Sequence, residues 1–259
     1  MGGSMGVSLD EFLGGTIRLY QPEEGYRIAT DTVFLAASLN LAPQESLLDM
    51  GAGTGGILSC LLARRGADLQ SNVFHGIELQ EELLDLARRN ALANGFGEQI
   101  RYFKGDIAHP PVECEPNTYD QVVSNPPYLK KNGATASPFE TKAMAHMDSH
   151  IPLDEWVRLC LRMLKPLGRL TLVHRADRMD DIIAALHGKA GDVVIYPLWS
   201  AEDREARRVI IQARKGGKGI LTLKPGLRVH TSEGCFTPEA EMILRQSAAI
   251  DLDRNYDTK

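Results

Sequence analysis

An asparagine, two prolines and a tyrosine follow one another at residues 125–128, directly after an apolar run that ends at Ser124. Proline has no N–H, so two prolines in a row leave the local carbonyl groups free to accept hydrogen bonds. An amide or aromatic amine is a poor nucleophile because its lone pair is delocalised. If the Asn125 side-chain oxygen and the Pro126 carbonyl accept its two hydrogens, the lone pair can be aligned with an electrophile. Tyr128 offers a face on which a planar group can stack. The motif predicts chemistry on a planar NH2 group, with Asn125, Pro126, Pro127 and Tyr128 as the catalytic residues.

A glycine-rich segment, DMGAGTGG at residues 49–56, stands between a predicted strand and a predicted helix. Gly51, Gly53 and Gly56 satisfy the spacing G-x-G-x-x-G, in which the missing side chains allow a tight turn and a close approach of the backbone to a ligand. Gly55 adds a further position without a side chain. We predict that Gly51, Gly53 and Gly55 contact a cofactor.

Acidic residues flank this turn and indicate which cofactor it binds. Glu78 ends the next predicted strand, where a carboxylate can accept both hydroxyls of a ribose, so the cofactor should contain adenosine. NAD and S-adenosylmethionine both meet that requirement. Asp49 precedes the glycines, where it would repel a pyrophosphate but suit a cationic sulfonium, and it therefore favours S-adenosylmethionine. The segment GDI at residues 105–107 places Asp106 where it could bind the adenine amine, with Ile107 beside it.

These residues need a scaffold that brings strand ends together. From Ser46 onward, short β-branched or aliphatic runs alternate with amphipathic segments, as in the repeated βαβ units of a parallel sheet. The predicted strands cover residues 46–50, 73–78, 100–105, 119–125, 168–174, 192–198 and 206–214, and the predicted helices cover 55–65, 82–95, 153–164 and 177–187. The last two strands have a connection too short for a parallel crossover, so they should pair antiparallel. The predicted fold is α/β, a Rossmann-like seven-stranded, mainly parallel, doubly wound sheet with an antiparallel edge strand.

Length and composition are those of an ordinary globular chain. Of the 259 residues, 43% are hydrophobic and 24% charged. No apolar run approaches the roughly 18 residues needed to cross a membrane. The four cysteines form no C-x-x-C pair, and no metal site is predicted. The net charge of -5 means that local basic patches would have to hold a nucleic-acid partner. We expect a cytoplasmic protein without membrane contact, as a monomer or a homodimer.

Together these motifs resemble the class I methyltransferases with an N-P-P-Y signature, which modify adenine in nucleic acid or the amide of glutamine. The segment RIATDTVFLAA at residues 27–37 is similar to the one that precedes the cofactor motif in the bacterial tRNA(Val) (adenine-N6)-methyltransferase family. The family's Thr-Asp pair falls on Thr30 and Asp31, which the resemblance implies as cofactor-binding residues. The segments LVHRADR (172–178), ARKGG (213–217) and LRVHTSEGCFTPE (227–239) are similar to the ends of its members.

The resemblance implies S-adenosylmethionine as the cofactor and an exocyclic amine, adenine in tRNA, as the methyl acceptor. It also places Asn125 at the cofactor as well as at the acceptor. The chain then divides into an N-terminal extension that packs on the cofactor site (residues 1–45), a class I methyltransferase domain (46–215) and a C-terminal extension of that domain (216–259). Residues 130–151 follow a strand end without clear periodicity and are predicted to form a mobile loop over the site.

Other functions stay open on the sequence alone. A glutamine amide of a protein could be the acceptor, because the same amide-binding geometry serves it. Methylation of a small-molecule oxygen would need a base or a metal that the sequence does not supply. A dinucleotide-dependent oxidoreductase would account for the glycines but not for residues 125–128, and a cofactor-binding regulatory module would leave that motif without a use.

Several further features carry little weight. His146 and His150 stand four residues apart, but Met147 occupies the position where a metalloprotease motif requires glutamate, so both are interpreted as solvated loop residues. Basic pairs and runs could contact phosphate, although such clusters are usually only solvated faces. They are Lys130 and Lys131, Arg207 and Arg208, and the run of Arg214, Lys215 and Lys218.

Overall fold

The computed structural model describes residues 6–128 and 151–255. Residues 130–150 of the predicted loop at 130–151 lie outside the described residues, and so do Lys130, Lys131, His146 and His150. The chain begins with an antiparallel hairpin of strands β1 (Val7–Phe12) and β2 (Ile17–Pro22), joined by a 3-10 turn at Leu13–Gly15. Helix α1 (Thr30–Ala37) follows and leads into the main sheet.

The main sheet is built as the alternating apolar and amphipathic segments predict. Its strands are β3 (Ser46–Met50), β4 (Val73–Glu78), β5 (Ile100–Lys104), β6 (Tyr119–Ser124), β7 (Leu164–Arg175), β8 (Ala190–Trp199), β9 (Ala206–Lys215), β10 (Thr222–Leu223) and β11 (Leu227–Arg228). The connecting helices are α2 (Gly56–Arg65), α3 (Glu81–Ala93), α4 (Leu153–Met163), α5 (Met179–Leu186) and α6 (Pro238–Gln246), with 3-10 turns at Gly66–Leu69 and Ala176–Arg178. The order across the sheet is β5-β4-β3-β6-β7-β9-β8, and the short β10 and β11 both pair with β8.

The predicted fold class is confirmed, and two details of the sheet differ from the prediction. In the described part of the chain, β10 and β11 add two strands of two residues each to the seven predicted ones. The reversed strand is β9, and it lies between β7 and β8 rather than at the edge. The chain crosses from β7 through α5 to β8, and β8 lies one strand position away from β7 in the sheet. After a short connection, β9 fills the position between them. There β9 pairs antiparallel on both sides.

Apolar side chains cover both faces of the sheet. On one face, α1 and α2 bury residues such as Phe34 and Leu61 together with Phe74 of β4. On the other, Trp156 and Cys160 of α4 pack with Val122 of β6. Seven of the eleven residues of α4 are buried, and its exposed residues Arg158 and Arg162 stand four apart, so only a narrow stripe of the helix faces solvent.

The segments outside the predicted domain boundaries pack against the same core. Ile17 from β2 and Ile243 from α6 belong to the cluster on the α1 and α2 face. Asn90 of α3 accepts a hydrogen bond from the Tyr20 amide (2.7 Å) and donates one to the Tyr20 carbonyl (3.0 Å), which fixes β2 to α3. Asn90 also donates to the Thr54 carbonyl (2.9 Å) in the glycine-rich turn. The hairpin is therefore tied to the turn, while the division at residues 45 and 215 stays a prediction.

Candidate active site

The glycine-rich turn follows β3 and requires glycine at the three predicted positions. Gly51, Gly53 and Gly55 have φ of +80°, +57° and +80°, a conformation that other residues rarely adopt. The amides of Gly51 and Ala52 both donate to the Ile77 carbonyl of β4, at 3.0 and 2.9 Å. The turn is thus anchored to the neighbouring strand before the chain enters α2 at Gly56.

Glu78 ends β4 beside this turn, and the backbone holds its carboxylate. One carboxylate oxygen accepts a hydrogen bond from the Gly53 amide (2.8 Å), and the other accepts one from the Gln80 amide (2.9 Å). Burial raises the pKa of Glu78, and the hydrogen bonds from Gln80 and Gly53 oppose that rise. A carboxylate has about four lone-pair sites, so Glu78 can still accept a hydroxyl group of a ligand.

Asp49 is fully buried, and neither carboxylate oxygen has a hydrogen-bond partner among the described residues. Burial and the nearby Glu78 raise its pKa well above the ordinary value. An unpaired buried carboxylate is costly, so this position calls for a ligand that supplies donors or positive charge. Tyr26 packs against the glycine-rich turn, because a Cβ atom at Gly53 would lie 2.7 Å from the tyrosine ring.

Asp106 and Ile107 lie at the end of β5, next to Glu78. The amide of Gly105 donates to the Glu78 carbonyl at 3.0 Å, which brings the two strand ends together. One carboxylate oxygen of Asp106 accepts a hydrogen bond from the Ala108 amide (2.9 Å), while Ile107 is buried against the sheet. The predicted contact of Asp106 with an adenine amine stays a prediction. We call the ends of β3, β4 and β5, with Asp49, Glu78 and Asp106, the glycine-turn side.

The tandem prolines follow β6, and the end of this strand lies beside the glycine turn. The Ser124 hydroxyl donates to the Met50 carbonyl (2.6 Å) and accepts from the Trp156 indole (2.9 Å), so the ends of β3 and β6 are fixed to each other. Asn125 follows directly and is half-buried. Its side-chain nitrogen lies 3.5 Å from the Thr32 hydroxyl of α1.

Tyr128 lies within a cluster of side chains from four chain segments. Its hydroxyl is 2.9 Å from the Asn125 side-chain oxygen and 3.1 Å from a carboxylate oxygen of Asp31. The same Asp31 oxygen accepts a hydrogen bond from Arg208 Nε at 2.8 Å. The Arg208 guanidinium lies over the tyrosine ring, 4.5 Å from its centroid, and the edge of His174 meets the ring at a centroid distance of 5.1 Å. We call these five residues the tyrosine side.

The position of Asp31 can be compared with its predicted role in cofactor binding. Thr30 and Asp31 begin α1, and the Asp31 carboxylate is engaged by Arg208 and Tyr128 of the tyrosine side. The sequence suggested only phosphate contact for Arg208 and no role for His174. The position of His174 at the end of β7, next to the end of β6, was a usable signal, because polar residues at the carboxyl ends of neighbouring parallel strands meet at one edge. Arg208 could not be found in this way, since β9 was predicted at the sheet edge.

Burial determines the charge states on the tyrosine side. His174 is 1% exposed, and its pKa falls to about 4 because of burial and the positive charges of Arg178 and Arg208. Burial and the Asp31 carboxylate raise the pKa of Tyr128. At neutral pH this side therefore holds a neutral imidazole and a protonated phenol next to the Asp31 and Arg208 ion pair.

The described residues contain neither a metal-ligand cluster nor a membrane-spanning helix. Residues 6–128 and 151–255 contain no group of three or more His, Cys, Asp or Glu side chains placed to hold a metal ion. In the same ranges, no helix is long and apolar enough to cross a membrane.

Comparison with known proteins places this geometry in a family. The family model described as N-6 DNA methylase matches residues 20–180. A tRNA1(Val) (adenine(37)-N6)-methyltransferase of Porphyromonas gingivalis is 29% identical over 82% of this chain and 85% of its own length. The enzyme of the same name from Aliivibrio fischeri is 31% identical over 58% of this chain and 60% of its own length.

Solved structures share the fold at low sequence identity. A protein from Agrobacterium tumefaciens, described as a predicted O-methyltransferase, superposes with a TM-score of 0.69 at 23% identity, covering 87% of this chain and 99% of the other. A tRNA (m1A58) methyltransferase of Aquifex aeolicus superposes with a TM-score of 0.53 at 13% identity, covering 76% and 73% of the two chains. At these identities the likeness shows the fold alone.

Proposed function

Since this chain belongs to the N-6 DNA methylase family and is an S-adenosylmethionine-dependent methyltransferase, we propose that it methylates the N6 amino group of an adenine in tRNA. The observation that carries the proposal is the Asn125 amide, placed beside the glycine turn and followed by two prolines and a half-buried tyrosine. The curated relatives that cover most of the chain are named for this reaction, which supports adenine and tRNA as the acceptor.

The residues of the glycine-turn side fit S-adenosylmethionine. When bound, this cofactor supplies a methyl group on a positively charged sulfur. Asp49 offers a buried carboxylate without a partner among the described residues, and Glu78 keeps free lone pairs for ribose hydroxyls. We assign Asp49, Glu78 and the amides of the turn to the cofactor, because a cation and hydroxyl groups would satisfy the buried acceptors.

The acceptor chemistry follows from residues 125–128. The Asn125 side-chain oxygen and the Pro126 carbonyl accept the two hydrogens of the amino group and turn its lone pair toward the methyl group. No strong base is needed, because alignment within a partly buried site lowers the barrier. Pro126 and Pro127 restrict the backbone that carries the second acceptor. The Tyr128 ring stacks on the planar acceptor, as extruded bases are commonly held.

A tRNA substrate has consequences for where and how the protein works. Such an enzyme acts in the cytoplasm, and with a net charge of -5 it must hold RNA through local basic side chains. Arg207 on β9 is exposed next to Arg208 of the tyrosine side, and we assign it to a phosphate contact. A monomer and a homodimer both satisfy this proposal.

Transfer of a tritiated methyl group tests the proposal. The purified chain is incubated with labelled S-adenosylmethionine and, separately, with total tRNA, DNA and protein from cells that lack the enzyme, so that the acceptor is unmodified. We expect label in tRNA, recovered as N6-methyladenosine after nuclease digestion. Asn125→Ala serves as the inactive control. Label in glutamine of the protein fraction, or in a methylated oxygen, would replace the adenine proposal with one of the alternatives.

A further inference from the structure

The Tyr128 hydroxyl has one hydrogen and two acceptors within reach. The acceptors are the Asn125 side-chain oxygen at 2.9 Å and the Asp31 carboxylate oxygen at 3.1 Å. A hydroxyl donates one hydrogen bond, so only one acceptor receives the hydrogen at a time. The amide oxygen has two lone pairs, so if Asn125 receives the hydrogen, the phenol takes one lone pair and only the other remains for the substrate amino group.

The surroundings of Asp31 determine which acceptor receives the hydrogen. Arg208 Nε donates to the same Asp31 oxygen at 2.8 Å, and the side chains of Asp31 and Arg208 are 17% and 31% exposed. The guanidinium therefore places its positive charge against the Asp31 carboxylate in a partly desolvated setting. A hydrogen bond to an ionised acceptor is roughly twice as strong as one to a neutral amide oxygen. The phenol hydrogen is thus drawn toward Asp31.

The ring of Tyr128 is held in place for this arrangement. Arg208 lies over one face of the ring and His174 meets its edge, so the hydroxyl stays between its two acceptors. Arg208 contributes twice, once to the charge of Asp31 and once to the position of the ring. Such planar contacts between guanidinium and aromatic groups are favourable when partly desolvated.

We propose that Asp31 and Arg208 are a positioning pair: Arg208 holds the Asp31 carboxylate, which accepts the hydrogen bond of the Tyr128 hydroxyl and so leaves both lone pairs of the Asn125 oxygen for the substrate amino group. The inference rests on the proposed function, since it concerns an amino acceptor. It assigns Asp31 to the acceptor reaction instead of to cofactor binding. Asp31 acts through Tyr128 and Asn125 and needs no contact with the substrate.

A double-mutant cycle of Asp31→Asn and Tyr128→Phe tests the pair. Asp31→Asn replaces the carboxylate acceptor with a neutral amide, so the phenol donates its hydrogen bond to Asn125 instead. We expect kcat to fall about tenfold, the equivalent of one lost hydrogen bond, with KM and the affinity for S-adenosylhomocysteine changed less than about twofold. In the Tyr128→Phe background there is no competing hydrogen, and the same substitution should lower kcat less than about twofold. Asp85→Asn, on the exposed face of α3, is the matched control for loss of a carboxylate.

The outcomes separate this inference from the proposed function. The parental rate on each acceptor tests the proposed function, and the cycle is run on whichever amino acceptor the parental enzyme labels. An equal loss of kcat from Asp31→Asn in both backgrounds would overturn the pair, and so would a large loss of S-adenosylhomocysteine affinity.

A second test, by NMR spectroscopy with 15N-labelled asparagine, does not depend on turnover. Asp31→Ala should shift the side-chain amide resonance of Asn125 when Tyr128 is present and leave it in place with Tyr128→Phe, and an unshifted resonance in both contradicts the pair.

Discussion

The glycine-turn side and the tyrosine side are held in place by different means. Backbone amides hold the Glu78 carboxylate, and the partners of Tyr128 are the side chains of Asn125 and Asp31. The glycine-turn side comes from one continuous stretch of β3, β4 and β5 with their connections. The tyrosine side joins α1, the end of β6, the end of β7 and the start of β9. One side is therefore set by local backbone geometry and the other by tertiary assembly.

This difference has a functional meaning. Backbone hydrogen bonds persist when single side chains change, so the glycine-turn side should keep the geometry proposed for the cofactor regardless of what happens at Tyr128. Side-chain networks respond to each member, because every partner holds the others. We therefore expect substitutions on the tyrosine side to change turnover while leaving cofactor affinity intact, and substitutions on the glycine-turn side to change cofactor affinity.

Asn125→Ala should produce the largest effect and tests this separation directly. The amide is proposed to align the amino lone pair, which matters mainly in the transition state. Its loss should lower kcat by about a hundredfold or more, as removal of one oriented hydrogen-bonding group does. Titration calorimetry with S-adenosylhomocysteine should give an affinity close to that of the parent. Asn40→Ala, at an exposed position three residues after the end of α1, is the matched control.

Two outcomes would break the comparison at this residue. Parental turnover of Asn125→Ala would reject the amino-alignment mechanism and favour methylation of an oxygen. A tenfold or greater loss of S-adenosylhomocysteine affinity would show that the two sides are not independent.

Asp49→Asn and Glu78→Ala should act on the other side, with effects of about tenfold or more on S-adenosylhomocysteine affinity. The two variants should differ in their free energy of unfolding. Glu78→Ala leaves the amides of Gly53 and Gln80 without their acceptor and should lower the free energy of unfolding by about 1–3 kcal/mol. Asp49→Asn removes a carboxylate that has no partner among the described residues and should not destabilise the free protein. Titration calorimetry and thermal unfolding measure both quantities, and unchanged affinities for both variants would reject the assigned cofactor pocket.

The strands that carry the glycine-turn side could be predicted from the sequence, whereas the side-chain contacts of the tyrosine side could not, and the reason is physical. Strands at Ser46–Met50 and Val73–Glu78 have the predicted bounds, because buried parallel strands read as short apolar runs closed by turn residues. The fold class and S-adenosylmethionine as the cofactor are confirmed. Asp31 was assigned to the cofactor from a resemblance, and the structure pairs it with Arg208, which lies 177 positions away. No local spacing encodes that contact, because it depends on β9 entering between β7 and β8.

Substitution of His174 should have the smallest effect, a change in how the free energy of unfolding depends on pH. The tyrosine side and the glycine-turn side should differ in the sign of this dependence. The imidazole is 1% exposed, and its pKa falls to about 4 in the folded protein. An unfolded chain with an ordinary histidine pKa of about 6.5 binds more protons between these two values. Stability from His174 is therefore fully present above about pH 6.5 and declines as the pH falls toward 4. Asp49 has the opposite sign, because burial and Glu78 raise its pKa above the unfolded value and its protonation in acid favours the folded state.

His174→Gln should remove this acid sensitivity. Between pH 7 and pH 5.5 the parent should lose about 1 kcal/mol more of its unfolding free energy than the variant, since one pH unit below the unfolded pKa is worth about 1.4 kcal/mol per shifted group. Denaturant unfolding at the two pH values measures the difference. His109→Gln, whose side chain is 89% exposed, is the same substitution at the surface and serves as the matched control. Asp49→Asn should deviate in the opposite direction, because it removes a group whose protonation stabilises the fold in acid. If His174→Gln and Asp49→Asn both changed the pH dependence of the unfolding free energy in the same direction, the proposed opposite titration of His174 and Asp49 would be wrong.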